Sequence, residues 1–145
     1  MGGAGGGELR MEGGEAGVWS LPVSLLLGAI LATATVAIGT ASLARVERLE
    51  RARQAVEDFN NFVEAVRLLS FGGEGSVRRV AVRGEAEIDV WGTFAQLKLS
   101  GDVLRAEPLP IPISAPATLH QGIHEMRLWR GPDGRLRVTV LEAQK

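Results

Sequence analysis

The order of hydrophobic and polar positions divides the chain into stretches with different rhythms. From Val18 to Ala44 no charged residue interrupts VWSLPVSLLLGAILATATVAIGTASLA. A helix needs about 20 apolar residues to cross the hydrocarbon core of a bilayer. The run therefore predicts a transmembrane helix over residues 18–45. Trp19 at one end suits the membrane interface, where an amphipathic ring rests at headgroup level. Ser20 can cap the helix, and Pro22 falls near its start, where a missing N–H costs least. A cleaved secretory signal fits less well, because the run is longer than a signal's apolar region and the residues before it are not basic.

The rhythm then changes to an amphipathic helical one. Residues 45–70 contain neither Gly nor Pro. Leu49, Ala52, Val56, Phe59, Val63 and Val66 recur at alternating spacings of three and four, which places them on one face of a helix. Glu47 with Arg51, and Arg53 with Glu57, are four apart and support the exposed faces modestly. Phe71-Gly72-Gly73, with Gly75 following, is a stop signal. The expectation is an amphipathic helix over 46–71 that continues the apolar one, so that Leu21 to Ser70 would measure about 75 Å at 1.5 Å per residue.

Over residues 72–145 the period falls to two. Val80 and Val82, Ile88 and Val90, Ala95, Leu97 and Leu99, Met126 and Leu128, and Leu136, Val138 and Val140 each alternate with polar or small residues. That alternation is the mark of half-buried strands. Arg83-Gly84, Ser100-Gly101-Asp102 and Gly131-Pro132-Asp133-Gly134 supply the turns. Pro108-Leu109-Pro110-Ile111-Pro112 cannot donate to a central ladder and reads as an edge or an extended crossing. About 70 residues of sheet make a marginal core by themselves, and the stripe Leu49, Val56, Phe59, Val63 and Val66 supplies cover for it. The predicted fold class is α+β: a long N-terminal helix, transmembrane and then amphipathic, packed by a small antiparallel sheet or sandwich. Residues 1–17 are mostly glycine, too poor in apolar surface to fold, and read as a flexible leader.

Composition narrows the chemistry. The 145 residues carry a net charge of −1 with acids and bases interspersed, so no overall basic field attracts nucleic acid. There is no cysteine, which removes disulfides, thiolate metal sites and cysteine nucleophiles. His120 and His124 are four apart, the spacing of two ligands on one helix face. Gly122 lies between them in strand-like surroundings, however, and Glu125 is the one adjacent carboxylate, so structural roles are expected. Phe71 to Ser76 lacks the lysine and the following helix of a phosphate loop. Arg78, Arg79 and Arg83 are basic, but no aromatic residue interleaves with them and Glu85 and Glu87 follow at once. No serine–histidine–acid set or carboxylate pair stands out. The expectation is a protein that is not an enzyme, with no cofactor, no metal, no nucleic-acid partner and no small-molecule substrate.

One feature of the apolar helix points to a partner. Gly28, Ala32, Thr35, Gly39 and Ser42 follow a 4-3-4-3 spacing and form a seam of small residues. In lipid, small residues let helix backbones approach closely, and packing replaces the hydrophobic driving force. With one such helix in the chain, the partner would be another chain.

The layout resembles archaeal type IV pilin-like proteins, pilins and archaellins. A short leader ending in Gly17 precedes Val18-Trp19-Ser20-Leu21-Pro22, an uncharged helix, an amphipathic continuation and a β-domain. The resemblance implies cleavage between Gly17 and Val18 by a prepilin peptidase, and bundling of the exposed helices into a filament core. It also implies an extracytoplasmic β-domain. The positive-inside rule pulls the other way, because Arg45, Arg48, Arg51 and Arg53 outnumber Arg10 and the N-terminal amine. The functional expectation is a structural subunit that assembles through its helix into a surface filament or membrane complex, with membrane lipid and other such helices as partners. The alternatives are a solitary membrane-anchored module that binds another protein, and a cytoplasm-facing accessory subunit of a membrane complex.

Overall fold

The structure, a computed structural model, describes residues 9–143, with side chains from Pro22 onward. It divides into two compact units, Met1–Val46 and Glu47–Lys145. One helix, α1 (Leu9–Ser70), contributes to both. Its backbone is already helical over 9–17, part of the segment expected to be a leader. Leu9, Arg10, Met11, Glu12, Glu15 and Ala16 are good helix formers and outnumber the glycines there. Residues 1–8 of that leader lie outside the described residues.

In the first unit α1 has no partner among the described residues. Every described residue from Pro22 to Val46 is exposed, including Leu25, Leu26, Leu27, Ile30, Leu31 and Ile38.

The second unit combines the C-terminal part of α1 with seven strands: β1 (Val77–Val82), β2 (Ala86–Trp91), β3 (Phe94–Leu99), β4 (Asp102–Pro108), β5 (Ala117–Leu119), β6 (Gly122–Arg130) and β7 (Leu136–Glu142). They form two antiparallel sheets, ordered β1-β6-β7 and β4-β3-β2-β5. The strand patterns work as period two demands. Val80, Val82, Ala86, Ile88, Val90, Ala95, Leu97, Met126, Leu128 and Val138 are buried, while their polar neighbours along the strands stay more exposed. At the β3–β4 turn Ser100 (φ 52°) and Gly101 (φ 86°) both adopt positive φ, the geometry of a tight two-residue hairpin loop. The alternation did not announce β4, because β4 is an edge strand with little burial on either face. Its register shifts opposite Leu97 and Lys98. Arg105 and Glu107, paired at 2.6 Å, stand opposite the buried Leu97 and Ala95, and charges there discourage another strand from adding to the edge.

The proline-rich crossing ties the sheets together. Leu109 N–H donates to Thr93 O and Ile113 N–H to Gly92 O, both at 2.7 Å, at the β2–β3 turn. Ser114 N–H donates to Val138 O at 2.8 Å, and Val138 N–H to Pro112 O at 3.0 Å, on β7. On the crossing itself the donors are Leu109, Ile113 and Ser114, and Pro112 only accepts, so the missing proline N–H groups cost none of these hydrogen bonds. Leu109, Ile111 and Ile113 are buried and fill the core from this side.

Helix α1 enters the same core through Ala55, Phe59, Phe62, Val63, Val66 and Leu69, with Val56 half-buried against it. The buried face is broader than the expected stripe and turned from it. Leu49 is 63% exposed and does not pack on the sheets, which corrects its assignment to the helix–sheet contact. The cause is angular. The face centres on Ala55, Phe62, Val66 and Leu69, and Leu49 lies roughly 120° around the helix from them. The helix ends at Ser70, where Gly72 N–H donates to Leu69 O at 2.9 Å.

Candidate functional site: an exposed apolar helix

The described part of α1 from Pro22 is long and apolar enough to cross a membrane, and its most apolar window buries nothing against the chain. Its threonine hydroxyls are already satisfied. Thr33 Oγ1 donates to Ala29 O at 2.7 Å, Thr35 Oγ1 to Leu31 O at 2.8 Å and Thr40 Oγ1 to Ala37 O at 3.0 Å. A threonine that bonds back to its own helix leaves no orphan donor in an apolar medium.

At 3.6 residues per turn, Gly28, Ala32, Thr35, Gly39 and Ser42 fall within an arc of about 80°. Ser24, four residues before Gly28, extends the same line; its signal was present in the spacing. Leu25, Val36 and Leu43 flank the seam on one side, and Leu27, Leu31 and Ile38 on the other. A Cβ added at Gly28 or Gly39 would meet nothing within 4 Å. Ala34, Ala37 and Ala41 make a second small-residue run on the opposite face. Gly17 and Val18 lie in the helical backbone, but their side chains are outside the described residues.

In the sheet unit the polar groups pair locally. Asp58 is buried on the helix face that meets the sheets and accepts from Arg83. Hydrogen bonding to that carboxylate and its charge hold the Arg83 guanidinium above its ordinary pKa. Periodicity could not separate Asp58 from a surface acid, because its partner is 25 residues away. On the outer face of β2, Lys98 Nζ lies 2.7 Å from Asp89, and Thr118 Oγ1 donates to Asp89 at 2.7 Å. These hydrogen bonds hold Asp89 below the usual carboxylate value. Arg137 does the same for Asp133 through a 2.7 Å contact. Trp91 and Phe94 face each other across the β2–β3 turn with ring centroids 5.6 Å apart.

The histidines go separate ways. His124 is buried, and its Nε2 donates to His120 O at 2.7 Å. His120 lies exposed with Nδ1 3.4 Å from Glu87. Among the described residues no group of three or more His, Asp or Glu could hold a metal ion. A groove of about 540 Å³ runs between α1 and β1, with Glu57, Asn61 and Glu64 on one wall and Arg78 and Arg79 on the other. It is open, and its charged walls offer salt-bridging rather than a nucleophile beside a base. Compared with protein-family models, characterised protein sequences and solved structures, the chain matches none of them.

Proposed function

We propose that the protein is a non-enzymatic structural subunit, pilin-like in layout, that is held in the membrane by the helix of residues 18–45 and assembles through it into a surface filament or membrane complex. The observation that carries this reading is the apolar surface from Pro22 to Val46, none of which is covered by the described residues of the chain. Exposed apolar surface of that size requires lipid or other helices around it. Small residues on two opposite faces favour contact with more than one neighbouring helix, as in a bundle. In this reading the sheet unit is extracytoplasmic and the chain is cut between Gly17 and Val18. The test combines two measurements on native cells: the mass of the mature N-terminus, and cross-linking of the protein in membranes and in sheared surface material. A mature chain beginning at Val18 that cross-links into ladders supports the proposal. A full-length chain that stays monomeric overturns it.

A second reading is a solitary anchored module that binds another protein. It is favoured by Trp91, 42% exposed, and its neighbour Phe94 on the outer face of one sheet. Exposed paired aromatics are common anchors at interfaces. A monomer in detergent whose partner binding is lost on Trp91→Ala would select this reading.

A further inference from the structure

We infer that one end of the sheet unit docks on the bilayer surface: Arg48 and Arg51 bind lipid phosphates while Val103 and Leu104 of the β3–β4 hairpin enter the interfacial layer. The inference rests on residues 18–45 lying in lipid. Arg48, Arg51, Leu99, Ser100, Asp102 and Leu104 line one groove of about 440 Å³. Chain length alone keeps it near the membrane. Arg48 and Arg51 come four and seven residues after Ala44, the last residue of the uncharged run. Their Cα atoms are therefore at most about 14 and 25 Å from it. The polar layer of a bilayer is itself about 5–8 Å deep on each side, and an arginine side chain reaches several ångströms further.

The groove has the two chemistries that an interface recognises. Arg48 has no carboxylate partner among the described residues, and Arg51 has only a 3.9 Å contact to Glu47, with both side chains more than half exposed. A guanidinium in that state can bind a phosphate through two parallel hydrogen bonds. Val103 is 54% and Leu104 42% exposed, on a strand that contributes no side chain to the core. Aliphatic side chains beside arginines are the composition of segments that lie in the headgroup region. Asp102 is the one acid in the groove and opposes an anionic headgroup, so removing its charge should strengthen docking.

The chain has no cysteine, so single labels can be placed cleanly. Ser100→Cys, Ala34→Cys and Gly73→Cys full-length chains, each carrying an environment-sensitive fluorophore, are reconstituted in phosphatidylcholine vesicles with and without phosphatidylserine, using brominated acyl chains as quencher. Ala34 reports the span, Ser100 the hairpin turn, and Gly73 a site past the end of α1 where an added Cβ meets nothing. The expected result is strong quenching at Ala34 and several-fold more quenching at Ser100 than at Gly73. Arg48→Gln and Arg51→Gln should each weaken the phosphatidylserine dependence at Ser100 about fivefold, and Asp102→Asn should increase it. Quenching at Ala34 with Ser100 no different from Gly73 overturns the docking and leaves the span intact. No quenching at Ala34 overturns the span itself, and the docking with it.

Discussion

Asp58, 1% exposed on α1, accepts three hydrogen bonds from Arg83 at the end of β1: from its backbone N–H at 2.7 Å, from Nη2 at 2.8 Å and from Nε at 3.0 Å. The contact fastens the helix to the β1–β2 turn. It also explains how a carboxylate can lie among Ala55, Phe59 and Phe62, because a buried acceptor is tolerated only when its lone pairs are used. Asp58→Ala leaves the Arg83 N–H without its partner and is expected to destabilise the protein by about 3 kcal/mol. Arg83→Ala should cost less, because its head is half in water and the backbone N–H can still reach Asp58. Thermal melts of the two variants in the same detergent check the order. Equal losses, or none for Asp58→Ala, would refute it.

Phe59 and Leu49 were on one stripe in the sequence and are in different environments in the fold. Phe59 is fully buried between α1 and the sheets, whereas Leu49 is mostly exposed. Phe59→Ala should cost about 3–5 kcal/mol, and Leu49→Ala less than about 0.5 kcal/mol. Denaturant midpoints of the sheet unit, followed by near-ultraviolet circular dichroism of its tryptophans, measure both.

Stability should vary with pH through Asp89 and Lys98. Lys98 and Thr118 lower the pKa of Asp89 from its ordinary 3.8, so its contribution is present above that value and is lost as pH falls through the lower native one. Asp89 raises the pKa of Lys98 from 10.5, so that contribution is present below 10.5 and is lost as pH rises through the higher native value. The stabilisation is therefore full between the two ordinary values. Asp89→Asn should flatten both limbs of a plot of Tm against pH. An acid limb as steep as in the parent would assign it to other carboxylates.

The sequence made some of this legible and hid the rest for physical reasons. The absence of charge from Val18 to Ala44 and the glycines after Phe71 mark the apolar span and the helix end, because both depend on local composition. Val80, Ile88, Leu97, Met126 and Val138 declare their strands because one face of each is wet. β4 is exposed on both faces and so has no period to read. Phe62 and Leu69 widen the helix's buried face because two sheets contribute to the core that it meets. The Asp58–Arg83 pair is a long-range contact between an ordinary acid and an ordinary base, and nothing near either residue marks it.

The seam on the apolar helix yields the sharpest prediction about assembly. Gly28→Leu and Gly39→Leu put a branched side chain where two backbones would meet, so partner helices must separate and lose their packing. Within the chain the change is harmless to contacts, because an added Cβ at either position meets nothing within 4 Å. Hydrophobicity rises, so membrane insertion should persist, and leucine is a better helix former than glycine. A loss of association would therefore report an intermolecular contact rather than a damaged subunit. Leu26→Ile, placed away from the seam, is the control. Cross-linking yield in membranes should fall for both glycine variants and hold for the control, with Phe59→Ala as a separate check that a merely destabilised sheet unit does not mimic the effect. If both glycine variants cross-link as well as Leu26→Ile, helices do not meet along Gly28, Ala32, Thr35 and Gly39, and the protein is better described as a lone anchored domain.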